Sequence, residues 1–166
     1  MPFDTRFRPE TSDVAVFIKN RTVDNNNNFL GDFTTGTIVT QDEVNLIIDQ
    51  AGEMVLAALR WDATLTPAPI PDDNIPAVRG LIALFSAIFV EVTKFSEQIA
   101  RTVSPYPYLK EQFDKMLAEK QAELGIMPPQ GGGGGGLSLV DLIANQYGKA
   151  LYAFPELPMV NWETAF

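Results

Sequence analysis

The chain has 166 residues, 46% of them apolar and 20% charged, with a formal net charge of −9 and neither cysteine nor histidine. That length suits one domain with a real core and is short for two. The missing residue types exclude disulfides, thiolate nucleophiles, Cys/His metal sites and a histidine general base, and the acidic balance opposes a grip on DNA, which rests on Lys and Arg displacing counterions.

The polar start, MPFDTRFRPETSD, lacks the hydrophobic run of a secretory signal, so synthesis in the cytoplasm is expected. A first short helix is expected over TSDVAVFIKNRT, with Thr11, Ser12 and Asp13 offering capping oxygens and Val14, Phe17 and Ile18 on one face, ending near Arg21. Residues 23–39, VDNNNNFLGDFTTGTIV, are rich in Asn, Gly and Thr and read as a projecting loop or irregular β-hairpin with its tip at the asparagines and Phe29, Leu30 and Phe33 as apolar anchors. Thr40 followed by Glu43 makes a capping box opening a second helix, whose stripe is Val44, Ile47, Ile48, Ala51, Val55 and Leu59.

Four prolines between Pro67 and Pro76 forbid helix or central strand in the link that follows. Asn74 is then placed as the cap of a third helix, with Pro76 in its first turn where a missing N–H is harmless. This helix, expected over about 75–102, is apolar around much of its circumference. Its uninterrupted run from Gly80 to Val90 falls short of the roughly 20 residues a membrane crossing needs, so it reads as a buried central element and no membrane partner is expected. After SPYPY, an amphipathic fourth helix should bury Leu109, Phe113, Met116, Leu117 and Leu124, end at Gly125, and expose a charged face with pairs such as Glu111 and Lys115. The expected fold is mainly α, a four-helix bundle-like body over 1–126, followed by a Pro/Gly-rich linker over 127–137 and a C-terminal segment over 138–166.

No constellation points to catalysis. Asp24, Asn26 and Asn28 alternate as calcium ligands do, but a calcium loop needs Gly where Phe29 stands and an acid where Thr35 stands. The glycine run after Pro128 and Pro129 lacks the Lys-Ser/Thr pair of a phosphate loop, and Asp72 and Asp73 sit in a proline-rich link with no pocket to raise a pKa. No enzyme activity, metal or cofactor is therefore expected.

The tail carries the more informative pattern. Ser138 caps a possible short helix, and the extended FPELPMVNWETAF that follows displays large apolar residues whose burial is worth roughly 1.5–3 kcal/mol each. Either they fold back on their own body as a further element, or they dock on another chain, the six glycines acting as a coil with a span of about 13–15 Å.

The order DVAVFIKNRTVDNNNNFLGDFTTGTIVTQDEVNLIIDQAGEMVLAAL, a Pro-rich link, RGLIALFSAIFVEVTKFSEQ and SPYPYLKEQFDKMLAEKQAEL resembles the head-to-tail adaptor proteins of long-tailed bacteriophages, particularly those of actinobacterial hosts, over about 13–124. The resemblance is densest at Arg21–Thr22 to Phe33–Thr34, at Thr40, Glu43 and Val44 with Ile47, Ile48 and Ala51, and from Phe95 to Tyr108. It implies a structural virion protein of the head-tail neck: a dodecameric homo-oligomeric ring below the portal protein that extends the DNA channel and carries the next neck or head-closure protein. Genomic DNA would pass without sequence-specific binding. The resemblance also implies that Tyr152, Phe154, Leu157, Met159, Val160, Trp162 and Phe166 bind the portal, and that Asn25, Asn26, Asn27, Asn28, Phe29, Leu30 and Phe33 meet a ring neighbour or the next protein. The six-glycine run is outside the family pattern. Two alternatives stand beside this reading: a soluble monomeric adaptor whose tail is a linear peptide for one receptor, and a different neck protein, a head-closure or tail-terminator protein.

Overall fold

A computed structural model of the chain describes residues 4–61, 70–99 and 104–126. Among these residues five α-helices follow in order: α1 (Thr11–Ala15), α2 (Gln41–Ala58), α3 (Ile75–Lys94), α4 (Ser96–Ile99) and α5 (Tyr106–Glu123). Among the described residues about two thirds are helical and none belongs to a strand, so the fold is mainly α as expected. The linker at 127–137 and the segment at 138–166, with every residue expected to bind a portal, lie outside the described residues.

α3 is the axis on which the other elements pack. Its residues from Leu81 to Val92 are all buried, because its apolar side chains cover the whole circumference and only burial on several sides removes them from water. α2 and α5 flank it. By length and composition the segment Asp72–Lys94 is apolar enough to cross a membrane, but most of its apolar stretch is buried inside the protein, as in a core helix. Phe85 of α3 stacks on Phe113 of α5 with centroids 4.5 Å apart and the rings 18° from parallel, and meets Phe89 edge-on at 6.3 Å. Such pairs add about 0.5–1.5 kcal/mol to area burial.

α2 starts where its capping box places it. Thr40 Oγ1 accepts the Glu43 N–H at 3.4 Å and Glu43 Oε2 accepts the Thr40 N–H at 2.9 Å. The other Glu43 oxygen takes a hydrogen bond from Lys94, at the far end of α3. That contact first, and then the Thr40 N–H, hold the Glu43 carboxyl below its usual range. The expected α2 stripe is buried throughout. α2 closes with Arg60 in the left-handed region at φ 53, a strained choice for a side chain, and the Trp61 N–H returns to the Leu56 carbonyl at 2.9 Å. The turn delivers Trp61 edge-on to Phe7, 4.9 Å between centroids, so packing at the N-terminal segment holds the strained residue in place.

The structure corrects several expectations. α1 stops at Ala15, and the chain bends through Val16 and Phe17 into a 3-10 turn at Lys19–Arg21. The cap position is Glu10, whose N–H is accepted by Asp13 at 2.9 Å. Asn74 does stand at the N-cap of α3, with Pro76 in its first turn, yet its side chain makes no cap bond and accepts instead from Lys120 Nζ at 3.2 Å. α3 ends at Lys94 rather than near 102, because Phe95 leaves helical geometry (φ −129, ψ 27) before α4 begins. On α5 only Leu109 and Phe113 are fully buried, Leu117 and Leu124 are partly so, and Met116 is 40% exposed: this helix covers α3 along one narrow seam. Among the described residues its ion pairs include Lys110 with Asp114 at 3.2 Å and Lys120 with Glu123, and Glu111 is not paired with Lys115. Gly125 takes the expected left-handed cap, φ 67.

Replacing Thr40 by Ala removes the cap acceptor and should lower unfolding free energy by about 1 kcal/mol, read from urea denaturation, with the helical circular dichroism of the folded state unchanged.

Candidate interaction surface

Residues 22–39 form an irregular hairpin rather than a sheet. Two isolated antiparallel bridges, Val23 with Phe29 and Asp24 with Thr37, hold it, together with N–H donations from Leu30 to the Thr22 carbonyl (2.8 Å) and from Ile38 to the Val23 carbonyl (2.9 Å). The asparagines do form its tip. Asp24 organises them: its carboxylate accepts the N–H groups of Asn26 and Asn28 at 2.8 Å each and the Asn28 side-chain amide at 2.9 Å. These contacts, the Asn28 side chain foremost, hold the Asp24 carboxyl below its usual range. Asn27 sits at φ 60, a conformation asparagine tolerates better than most residues. Of the alternate positions that resembled calcium ligands, the Asp24 carboxylate is thus engaged in a turn.

The hairpin separates its three apolar residues. Phe33 is 1% exposed and joins the core cluster. It is therefore removed from the expected contact surface: its ring is the plug that pins the hairpin to the body. Phe29 and Leu30 are 60% and 45% exposed, and Asn25 to Asn28 are exposed beside them. An asparagine-rich tip with two adjacent uncovered apolar side chains can bury surface only against another molecule or another segment.

The base of the hairpin is fixed by a buried charge cluster. Arg21 Nε and Nη2 donate to the two oxygens of Glu91 at 2.6 and 2.8 Å, Nη1 donates to Gln98 Oε1 at 2.5 Å, and the guanidinium lies 4.0 Å over the Phe95 ring. Ser104 Oγ donates to Glu91 Oε2 at 2.9 Å and accepts the Tyr106 N–H at 3.2 Å. Glu91 is wholly buried, and among the described residues no buried side-chain polar atom lacks a partner. One cluster therefore joins the hairpin base, α3, α4 and the start of α5. A carboxylate and a guanidinium so fully satisfied are held for position and present no free group to a substrate.

Sequence reasoning missed Arg21 and Glu91. The available signal was Glu91 itself, the single acid of α3, set among buried apolar residues where an unpaired charge is not tolerated. Among the described residues, no group of three or more acidic side chains is arranged to hold a metal. No protein-family model, no characterised protein and no solved structure matches this chain.

Two outcomes test this geometry. Arg21→Met strands the Glu91 carboxylate and should destabilise by about 3–5 kcal/mol, whereas the double variant Arg21→Met/Glu91→Leu should recover most of that in chemical denaturation. Because the folded Asp24 carboxyl titrates below its ordinary value, the tip should be ordered above the usual carboxylate range and loosen as pH falls through the folded pKa. The Asn26 and Asn28 amide resonances should then shift together on acidification, with the α3 resonances unmoved.

Proposed function

We propose that the chain is a structural connector: a head-to-tail adaptor that assembles as a ring beneath a phage portal, extends the DNA channel, and anchors to the portal through its C-terminal tail. The observation that carries the reading is the exposed pair Phe29 and Leu30 on a hairpin whose base is locked to the core. A braced projection meets a neighbour with little ordering entropy left to lose on contact. The resemblance of residues 13–124 to adaptor proteins names the assembly, and the acidic charge suits a channel through which DNA must slide without adhering.

In this reading the mechanism is assembly. Each body presents its hairpin to the next subunit or to the following neck protein. The tail, tethered through glycines, holds its own body near the portal at an effective concentration of about millimolar. Tyr152, Phe154, Leu157, Met159, Val160, Trp162 and Phe166 supply the anchor's apolar surface.

Electron microscopy of the protein mixed with the portal protein of the same virus tests this. The full-length chain should decorate the portal as a ring, and a chain ending at Gln130 should not. Phe29→Ser/Leu30→Ser should abolish ring closure while shifting stability by no more than about 0.5 kcal/mol, since both side chains are exposed. A monomer on the portal, or none bound at all, would overturn the connector reading.

A further inference from the structure

An open groove of about 310 Å³ runs between α1 and the N-terminal half of α3. Val16 and Phe17 form one wall, Pro76, Gly80 and Ala83 the other, and Arg79 stands among them. Val16 is 62% exposed, so the groove is apolar and uncovered among the described residues. Gly80 is the informative residue. Glycine weakens a helix interior relative to alanine, yet a Cβ here would meet nothing within 4 Å, and its backbone needs no left-handed φ. Neither a turn nor a close approach within the body requires it, and the missing side chain leaves bare backbone in the groove wall.

The occupant follows from where the chain leaves the body. Lys120 reaches Asn74 at 3.2 Å and the Gln121 amide donates to the Ala58 carbonyl at 3.2 Å, so the end of α5 lies beside the start of α3. Ile126 therefore stands at the end of the body where Pro76 and Gly80 flank the groove. The groove face of α3 is roughly a third of a turn from the face that meets α5 through Ala77 and Leu81. A segment returning from Ile126 must pass around one helix, about 10–12 Å thick, and the glycine run alone spans about 13–15 Å as coil.

We propose that residues 152–166 dock in the α1/α3 groove of their own chain. Pro155 and Pro158 favour an extended segment, and Phe154, Leu157 and Val160 supply apolar surface to set against Val16, Phe17 and Ala83. Charge agrees as well. Arg79 spends one N–H on the Arg6 carbonyl at 2.8 Å and has others for Glu156 or Glu163, while Asp13, the acid of the lining, already accepts the Glu10 N–H at 2.9 Å. With a tethered effective concentration of about millimolar, even a docking constant near 100 μM keeps the groove mostly filled. The inference needs only this chain's residues and stands apart from the connector reading. If both hold, the tail is stowed until a portal displaces it.

The chain has no cysteine, so a pair of introduced cysteines reports one contact. In full-length Val16→Cys/Val160→Cys under mild oxidation, an intramolecular disulfide should form about tenfold faster than in Leu46→Cys/Val160→Cys, where the exposed α2 position shares the same tether. Adding Gly80→Phe places a ring at the groove from a position where a Cβ meets nothing within 4 Å, and should return the rate to that of the control while leaving Tm unchanged or raised. Equal rates in the two pairs, or indifference to Gly80→Phe, would overturn the proposal. A covalent dimer in place of the intramolecular bond would overturn it too, and assign the groove to a second copy. Failure of portal decoration, by contrast, bears on the connector reading alone.

Discussion

Glu91 is a carboxylate buried in the last turn of an apolar helix, and much of the fold is arranged around the need to pair it. An ionised carboxyl without a partner is not tolerated at a fully buried position. Arg21 has to reach it, and for that α1 ends early and the chain bends through a 3-10 turn. The break at Phe95 lets one guanidinium touch the Phe95 ring and the Gln98 amide together, and Ser104 adds a second donor to Glu91 Oε2 beside Arg21 Nη2. Buried pairs of this kind are often close to neutral in net stability against well-packed apolar residues, but breaking one is severe. Its effect here is to define a single arrangement of hairpin, core helix and the joint before α5.

The same economy of contacts appears one turn further along α3, at its last residue. Glu43 closes the first turn of α2 and also receives Lys94, so one side chain relates the start of one helix to the end of the next. The hairpin between α1 and α2 is thus bounded by two fixed points, the Arg21 cluster before it and the Thr40 cap after it, with Phe33 buried between them. What remains free is the tip. A surface built this way behaves as a rigid projection, which is the property a repeating contact in an assembly uses.

Local signals were legible in the sequence, and long-range ones were not. The Thr40–Glu43 box, Pro76 at the start of α3, Gly125 after α5 and the α2 stripe each depend on residues within a few positions of one another, and each stands where it was read. The end of α3 was misread because helical periodicity continues past Lys94; it is the distant Arg21 that takes up the side chains beyond the break. Met116 reads as core by spacing but is exposed because α5 contacts α3 along one seam. Of the hairpin's apolar residues, spacing could not separate Phe33, which enters the core, from Phe29 and Leu30, which do not. That partition is decided by the turn Asp24 builds. The groove beside Gly80 was invisible, since a glycine in a helical pattern reads only as a weak former until its surroundings are known.

The all-round apolarity of α3 has a consequence for how the protein is made. Helix α3 is complete before the residues of α5 that cover one side of it, Leu109 and Phe113, have been synthesised. At translation rates of about 5–20 residues per second, a segment with the length and hydropathy of a membrane span stands partly uncovered for on the order of a second. During that interval α1 and α2 are its available shelter, and the Arg21–Glu91 pair is already within their reach because both residues precede α5 in the chain. The order of elements along the polypeptide therefore acts as protection: the charge inside the most apolar helix can be neutralised by a residue already made, before membrane-insertion machinery or another nascent chain competes for that surface.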